Sequence, residues 1–129
     1  AGRILPRLPF PLEVAYLHAS RYGHAIQGTL LDWRVRPTQD LRGRTVLVLD
    51  DILDEGHTLK AIIEHLKDEG AAEVLSAVLV HKLHDRKATP GMRADFSGLD
   101  IADRFLFGCG MDYKGYWRNA PGIYAVKGL

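Results

Sequence analysis

One cysteine, two methionines and two tryptophans are all that this 129-residue chain has of those residue types. The lone Cys109 excludes an internal disulfide and suits a reducing compartment, so a cytoplasmic location is expected. Long apolar runs are missing as well. None approaches the ~20 residues that span a bilayer, and no membrane association is expected. Nor is there an excess of charge of one sign: 17 basic against 16 acidic residues leave +1. That excludes the broad basic field by which nucleic acid or an anionic membrane would be bound. Repeats and low-complexity segments are absent. A composition of 47% hydrophobic and 26% charged residues argues against disorder and collagen-like structure. The start, Ala1-Gly2-Arg3-Ile4-Leu5-Pro6, is neither a signal peptide nor an initiator methionine and reads as mid-protein. A chain of this length buries roughly two thirds of its unfolded surface, enough for one core without staples, so a single domain over 1–129 is expected.

The hydrophobic pattern then places the elements. Residues 12–18, after Pro9 and Pro11, read as a strand, 20–28 as a polar loop and 29–35 as a second strand, which suggests a hairpin with a long tip. Thr45-Val46-Leu47-Val48-Leu49 is a continuous apolar run of the kind buried on both faces of a parallel sheet. Leu59, Ile62, Ile63 and Leu66 follow helical spacing and predict a helix over 58–69, closed by Gly70. A second apolar run covers 74–80. Strand, helix and strand within about 36 residues make a βαβ unit with parallel strands. Residues 84–92 read as a basic loop, and short strands are expected near 104–107 and 123–126. Cys109, Trp33 and Trp117 read as packing residues. The six histidines, His81 and His84 beside Lys82 included, show no zinc-ligand spacing.

In an open parallel sheet, ligands bind beyond the carboxyl ends of the strands. Asp50, Asp51 and Asp54 fall there, expected in the loop before the helix, with Gly56, His57 and Thr58 at the helix start. Unpaired N–H groups at a helix N-terminus favour an anion such as phosphate. Paired acids hold sugar hydroxyls or, through water, Mg²⁺. Any one of these residues could serve merely as a cap, but capping does not need three acids. The ligand implied is a phosphorylated sugar or a nucleotide.

The run from Val46 to Thr58 is four apolar residues, two acids, two apolar residues, Asp, a variable residue, Gly, a variable residue and Thr. It resembles the phosphoribosyl-diphosphate (PRPP) motif of the type I phosphoribosyltransferases. A second segment, 95–119, holds Asp103-Arg104-Phe105, Gly108, Met111-Asp112-Tyr113 and Tyr116-Trp117-Arg118-Asn119. It is similar to the purine-recognition segment of the hypoxanthine-guanine members. The resemblance, which runs from about Leu12 onward, implies an α/β fold of the type I phosphoribosyltransferase kind. That fold is an open, mainly parallel sheet flanked by helices, with a hairpin bearing a mobile loop. It implies transfer of the phosphoribosyl group of PRPP to hypoxanthine or guanine, giving IMP or GMP and pyrophosphate, with Mg²⁺ as cofactor and a homodimer or homotetramer as the assembly.

Residue by residue, the resemblance implies that Asp50 and Asp51 bind the ribose hydroxyls and that Asp54 is the general base for purine N7. The 5′-phosphate falls to Asp54, Glu55, Gly56, His57 and Thr58. The purine falls to Lys82 on its 6-oxo group, to Phe105 by stacking, to the Leu106 backbone and to Asp112. Asp112 is also the Mg²⁺ ligand, with Asp50 and Asp51 as further candidates, and Arg118 contacts pyrophosphate. The chain departs from the family at three places. Glu55 stands where Thr or Ser is usual, so its backbone N–H is expected to serve. Arg21 replaces the usual Ser before Tyr22 in the mobile loop. No Gly-containing pyrophosphate loop precedes Leu12, so an N-terminally truncated domain is expected. Two other classes compete. A non-catalytic PRPP- or purine-nucleotide-sensing regulator would have lost Asp54 or the base contacts. A phosphoacceptor receiver domain would carry its acid pair on its first strand.

Overall fold

The computed structural model describes residues 1–21 and 31–129. A 3₁₀ turn (Leu5–Arg7) opens the chain, and β1 (His18–Arg21) pairs antiparallel with β2 (Leu31–Val35). β3 (Thr45–Leu53), α1 (His57–Asp68) and β4 (Glu73–Leu83) form the βαβ unit, and β5 (Phe96–Ala102) joins β4. The three strands lie parallel in the order β3-β4-β5. β6 (Leu106–Phe107) and β7 (Tyr124–Ala125) form a small antiparallel ribbon. This is the open, mainly parallel arrangement expected, with α1 the one α-helix among the described residues.

α1 forms where its apolar spacing requires and lays Leu59, Ile62 and Leu66 onto Val48, Leu53 and Val78. Its end is a Schellman motif: Ala71 N–H donates to Leu66 O at 3.2 Å and Gly70 N–H to Lys67 O at 2.9 Å, with Gly70 at φ +95°. Trp33 of β2 packs against this core and tilts onto His65 at 4.7 Å, as a packing residue should. A second cluster, Val80, Leu106 and Met111 with Ile52, Ile101 and Ile123, ties the β6–β7 segment to the strand ends.

Several expectations need correction. Residues 12–17 carry no ladder; Val14 and Tyr16 are exposed, and pairing begins only at His18, opposite Val35. β3 does not stop at Leu49. β4 is long enough to keep pairing with Asp50, Ile52 and Leu53, and a backbone ladder is indifferent to the acidic side chains it carries. Asp50 and Asp51 are therefore strand residues, not loop residues. α1 begins one residue earlier than predicted and ends one earlier. β5 was not expected at all. It is an edge strand with little apolar alternation, held in place by the Asp95 carboxylate, which accepts from the Ser76 N–H at 2.7 Å and the Ser76 hydroxyl at 3.1 Å. Cys109 and Trp117 are exposed rather than packed. Their segment is folded by backbone bonds, Cys109 N–H to Ala120 O and Gly110 N–H to Arg118 O, which leave these side chains outside. The loop expected to be mobile, with Tyr22, lies outside the described residues; Arg21 closes β1. Among the described residues no helix is long and apolar enough to cross a membrane.

Candidate active site

The acidic run ends β3 and enters the turn that starts α1. Gly56 caps the helix at φ +87° with no side-chain hydrogen bond, so the first-turn N–H groups have no side-chain cap. None of the nearby acids is spent on capping. A Cβ at Gly56 would lie 2.7 Å from Met92 Sδ and 3.0 Å from Leu53 Cδ1, so the turn is closed by close packing as well as by its backbone angle. Glu55 turns its carboxylate toward His57 at 3.5 Å, and its carbonyl accepts from Ala88 N–H at 2.8 Å. The loop after β4 thus backs this turn.

A cleft of about 300 Å³ opens at the carboxyl ends of β3 and β4. Asp51 and Ile52 of β3, Asp54 of the turn and Lys82 of β4 line one side. Phe105, Leu106, Met111, Asp112 and Arg118 line the other side. Residues from two segments more than 50 positions apart therefore meet at one place. Asp50 does not line the cleft, and neither do Glu55, Gly56, His57 and Thr58, which lie at the adjoining turn and helix start.

Lys82, 8% exposed, donates to Asp54 Oδ2 at 2.9 Å and lies 3.7 Å from Asp103. Asp54 Oδ1 meets His84 Nε2 at 2.8 Å. Burial pushes the Asp54 carboxyl up, but the hydrogen bonds from Lys82 and His84 outweigh it and hold the group below its usual range. Asp103 in turn accepts from Arg86 at 2.8 Å. His84 and Lys87 were not expected here. Lys87 Nζ donates to the backbone carbonyls of Asp54 and, at 2.7 Å, of Lys82, so it straps the ends of β3 and β4 together. Only their closeness in sequence to Lys82 hinted at either.

On the far wall, Asp112 pairs with Arg118 at 3.0 Å and accepts from Gly115 N–H at 2.8 Å. Arg118 also donates to Gly110 O at 2.8 Å. Phe105 is half-exposed and meets Tyr113 edge-on at 5.8 Å. Leu106 is buried in the second core. Asp51 and Asp112 bring hard oxygen donors to one cleft, a set that suits Mg²⁺, which is held by one or two carboxylates together with substrate phosphates.

The Asp50 carboxyl is pushed up to about 6, first by surrounding protein that strips part of its hydration and then by the Asp51 charge; the hydrogen bond from Asp51 N–H, 2.8 Å, pulls the other way. The residue is nonetheless exposed to solvent, which screens its charge and keeps the effect on stability modest. Between about pH 4 and 6 the native state holds a proton that the unfolded chain has released, so stability falls as pH rises through that window and stays lower above it. Asp50→Asn is expected to raise Tm at pH 7.5 in metal-free buffer, with the gain fading as pH falls toward 4. An equal gain at both pH values would show that the charge is not its cause.

A family model for the phosphoribosyl transferase domain matches residues 1–114. The hypoxanthine-guanine phosphoribosyltransferase of Bacillus subtilis is 33% identical over 120 residues, covering 90% of this chain and 64% of that protein. The enzyme of the same name from Aquifex aeolicus is 34% identical over 115 residues, covering 88% and 64%. Among solved structures, a hypoxanthine phosphoribosyltransferase from Staphylococcus aureus superposes with a TM-score of 0.89 at 28% identity, covering 98% of this chain and 68% of the other. The chain thus spans just under two thirds of the length of the curated relatives it matches.

Proposed function

The chain belongs to the phosphoribosyl transferase domain family, and on that premise we propose that it serves purine salvage, moving the phosphoribosyl group of PRPP onto hypoxanthine or guanine with release of pyrophosphate. The observation that carries this reading is the Asp54–Lys82 pair, 2.9 Å apart, in a cleft also lined by Phe105, Asp112 and Arg118.

The chemistry follows from the residue types. A 6-oxopurine carries O6 and N7 side by side on one edge. An ammonium donates to O6 while the neighbouring carboxylate accepts from, or shares, the N7 proton. Adenine would present its amino donors to the Lys82 ammonium, donor against donor, and is disfavoured. Phe105 stacks on the base without choosing among purines. Asp51, which lines the cleft, is assigned to the ribose hydroxyls together with its neighbour Asp50, which stands outside the cleft lining. The uncapped start of α1 takes the 5′-phosphate on the N–H groups from Glu55 to Thr58. The transition state is a ribosyl cation with a departing diphosphate, and Arg118 offsets charge on that leaving group. Asp112, with Asp51 as a further ligand, would hold Mg²⁺, which would supply the same charge compensation.

The test is nucleotide formation from PRPP with hypoxanthine, guanine, xanthine and adenine as competing acceptors and Mg²⁺ present. Product from hypoxanthine or guanine in preference to adenine is expected. Adenine as the best acceptor would sink the role given to Lys82. PRPP binding without turnover on any base would favour the sensing reading instead.

A further inference from the structure

Asp54 has two oxygens, and both are taken in different ways. Oδ2 faces Lys82, which lines the cleft. Oδ1 faces His84, whose side chain is 4% exposed and does not line the cleft. His84 therefore grips the carboxylate from the protein side. Its tautomer follows from its other nitrogen. Nδ1 lies 3.1 Å from the backbone N–H of Arg86, which can only donate, so Nδ1 is the acceptor and Nε2 carries the hydrogen given to Asp54. The 3.3 Å approach of Lys87 Nζ to the same Nε2 is then a contact between two donors, and Lys87 is held by its two carbonyls instead.

We propose that His84 is a positioning residue for the purine site: its Nε2–H fixes Asp54 Oδ1 so that the carboxylate cannot rotate away from Lys82, and the two side chains stay presented together to the N7/O6 edge of a 6-oxopurine. This rests on the phosphoribosyl-transfer reading for its substrate, but the brace itself does not. The charged and titratable groups around Asp54 are Lys82 from β4, His84 and Lys87 from the following loop, Asp103 beyond Lys82 with Arg86 on it, and Asp51, Asp112 and Arg118 around the cleft. Among them only His84 and Lys82 hydrogen-bond the carboxylate oxygens.

The experiment compares His84→Leu, which removes the donor, with His84→Gln, whose amide N–H reaches about as far as Nε2. A lost hydrogen bond to a charged group corresponds to roughly tenfold or more in affinity. His84→Leu is expected to raise the KM for hypoxanthine about tenfold and leave the KM for PRPP within about twofold. The acidic limb of kcat/KM for hypoxanthine should move to higher pH. His84→Gln should recover most of the loss. A second readout needs no turnover: the Asp54 carboxyl followed by ¹³C NMR should titrate at higher pH in the leucine variant and at the wild-type position in the glutamine variant. His84→Ala serves the same comparison should the leucine variant not fold. An unmoved Asp54 titration without the donor, or a glutamine variant that behaves like the leucine one, overturns the proposal. If the wild-type protein makes no nucleotide but Asp54 responds as described, the phosphoribosyl-transfer reading falls and the brace stands.

Discussion

Asp54→Asn is expected to lower turnover by roughly 10²–10⁴-fold, the range typical of a lost acid–base group, while PRPP affinity stays close to that of the unchanged protein. Two features make the effect large. A neutral amide has no useful affinity for the proton on purine N7, so the proposed chemistry would lose its acceptor. The amide is also a poor guest where it stands. Lys82 and His84 both donate to Asp54, one to each oxygen. Asparagine offers one oxygen and one NH₂, so one of the two donors must face another donor. Lys82, 8% exposed, would then be left with Asp103 at 3.7 Å as its nearest acid. A buried ammonium that has lost its close partner moves toward another, which would take it away from the contact proposed with the 6-oxo group. Asp50, Asp51 and the start of α1 are untouched, which is why PRPP binding should survive. The measurement is kcat and both KM values, with PRPP binding followed separately by calorimetry. Equal losses in turnover and PRPP affinity would show that Asp54 holds the sugar phosphate rather than the purine proton.

The parts of the fold legible in the sequence are those whose signal is local. The βαβ unit could be read because Val46–Leu49 and Val74–Val80 are unbroken apolar runs and because Leu59, Ile62 and Leu66 recur at helical spacing. α1 lies within one residue of the predicted ends for the same reason. What escaped depends on partners distant in sequence. β1 starts at His18, where β2 supplies a ladder, although residues 12–17 have the better strand pattern. β5 exists because β4 is long enough to pair with it and Ser76 grips Asp95; its own residues, with Gly98 and Asp100 in the middle, argue weakly for a strand. The continuation of β3 through Asp50 and Asp51 has the same origin: β4 supplies its ladder.

The site divides along the same line. The acids and the helix start are contiguous in the chain and could be read as one motif. Lys82, Phe105, Asp112 and Arg118 entered only by resemblance, and the cleft gathers all four. His84 and Lys87 carry no signal in the sequence beyond their nearness to Lys82. A histidine two residues and a lysine five residues after Lys82, in a polar stretch, look like any solvated loop. Their role appears only when the loop folds back on the turn, with Ala88 bonded to Glu55 and Met92 packed at Gly56. A glycine at Gly56 is what lets that loop come so close.

The far wall of the cleft depends on a second glycine, and Gly108→Ala is expected to be the most destabilising substitution in the segment between Phe105 and Asn119. Gly108 sits at φ +94°, where an L-residue is strained. An added Cβ would also overlap the carbonyl oxygen of Gly122 and press on Ala120 Cβ at 3.3 Å. The obstacle is backbone, so no rotamer relieves it. Strained backbone and overpacking each cost about 1–3 kcal/mol, for a combined loss of about 2–6 kcal/mol. For a protein of this size that is a fall in Tm of roughly 7–22 °C. The consequence reaches the site because Gly108 exchanges backbone hydrogen bonds with Met111, at 2.9 and 3.1 Å, and Met111 is both a core residue and the neighbour of Asp112. Any shift that makes room for the methyl group must move Asp112 and Arg118, which share a 3.0 Å ion pair, relative to Lys82. Gly110→Ala is the internal control. Its φ is +105°, but the space at its Cβ is open, so it should show the backbone cost alone, about 1–2 kcal/mol. Thermal melts of the two variants, read beside binding of the purine nucleotide product, separate the two terms. If Gly108→Ala melts no lower than Gly110→Ala, the Gly122 carbonyl yields freely and the wall that carries Asp112 is not held in the way described.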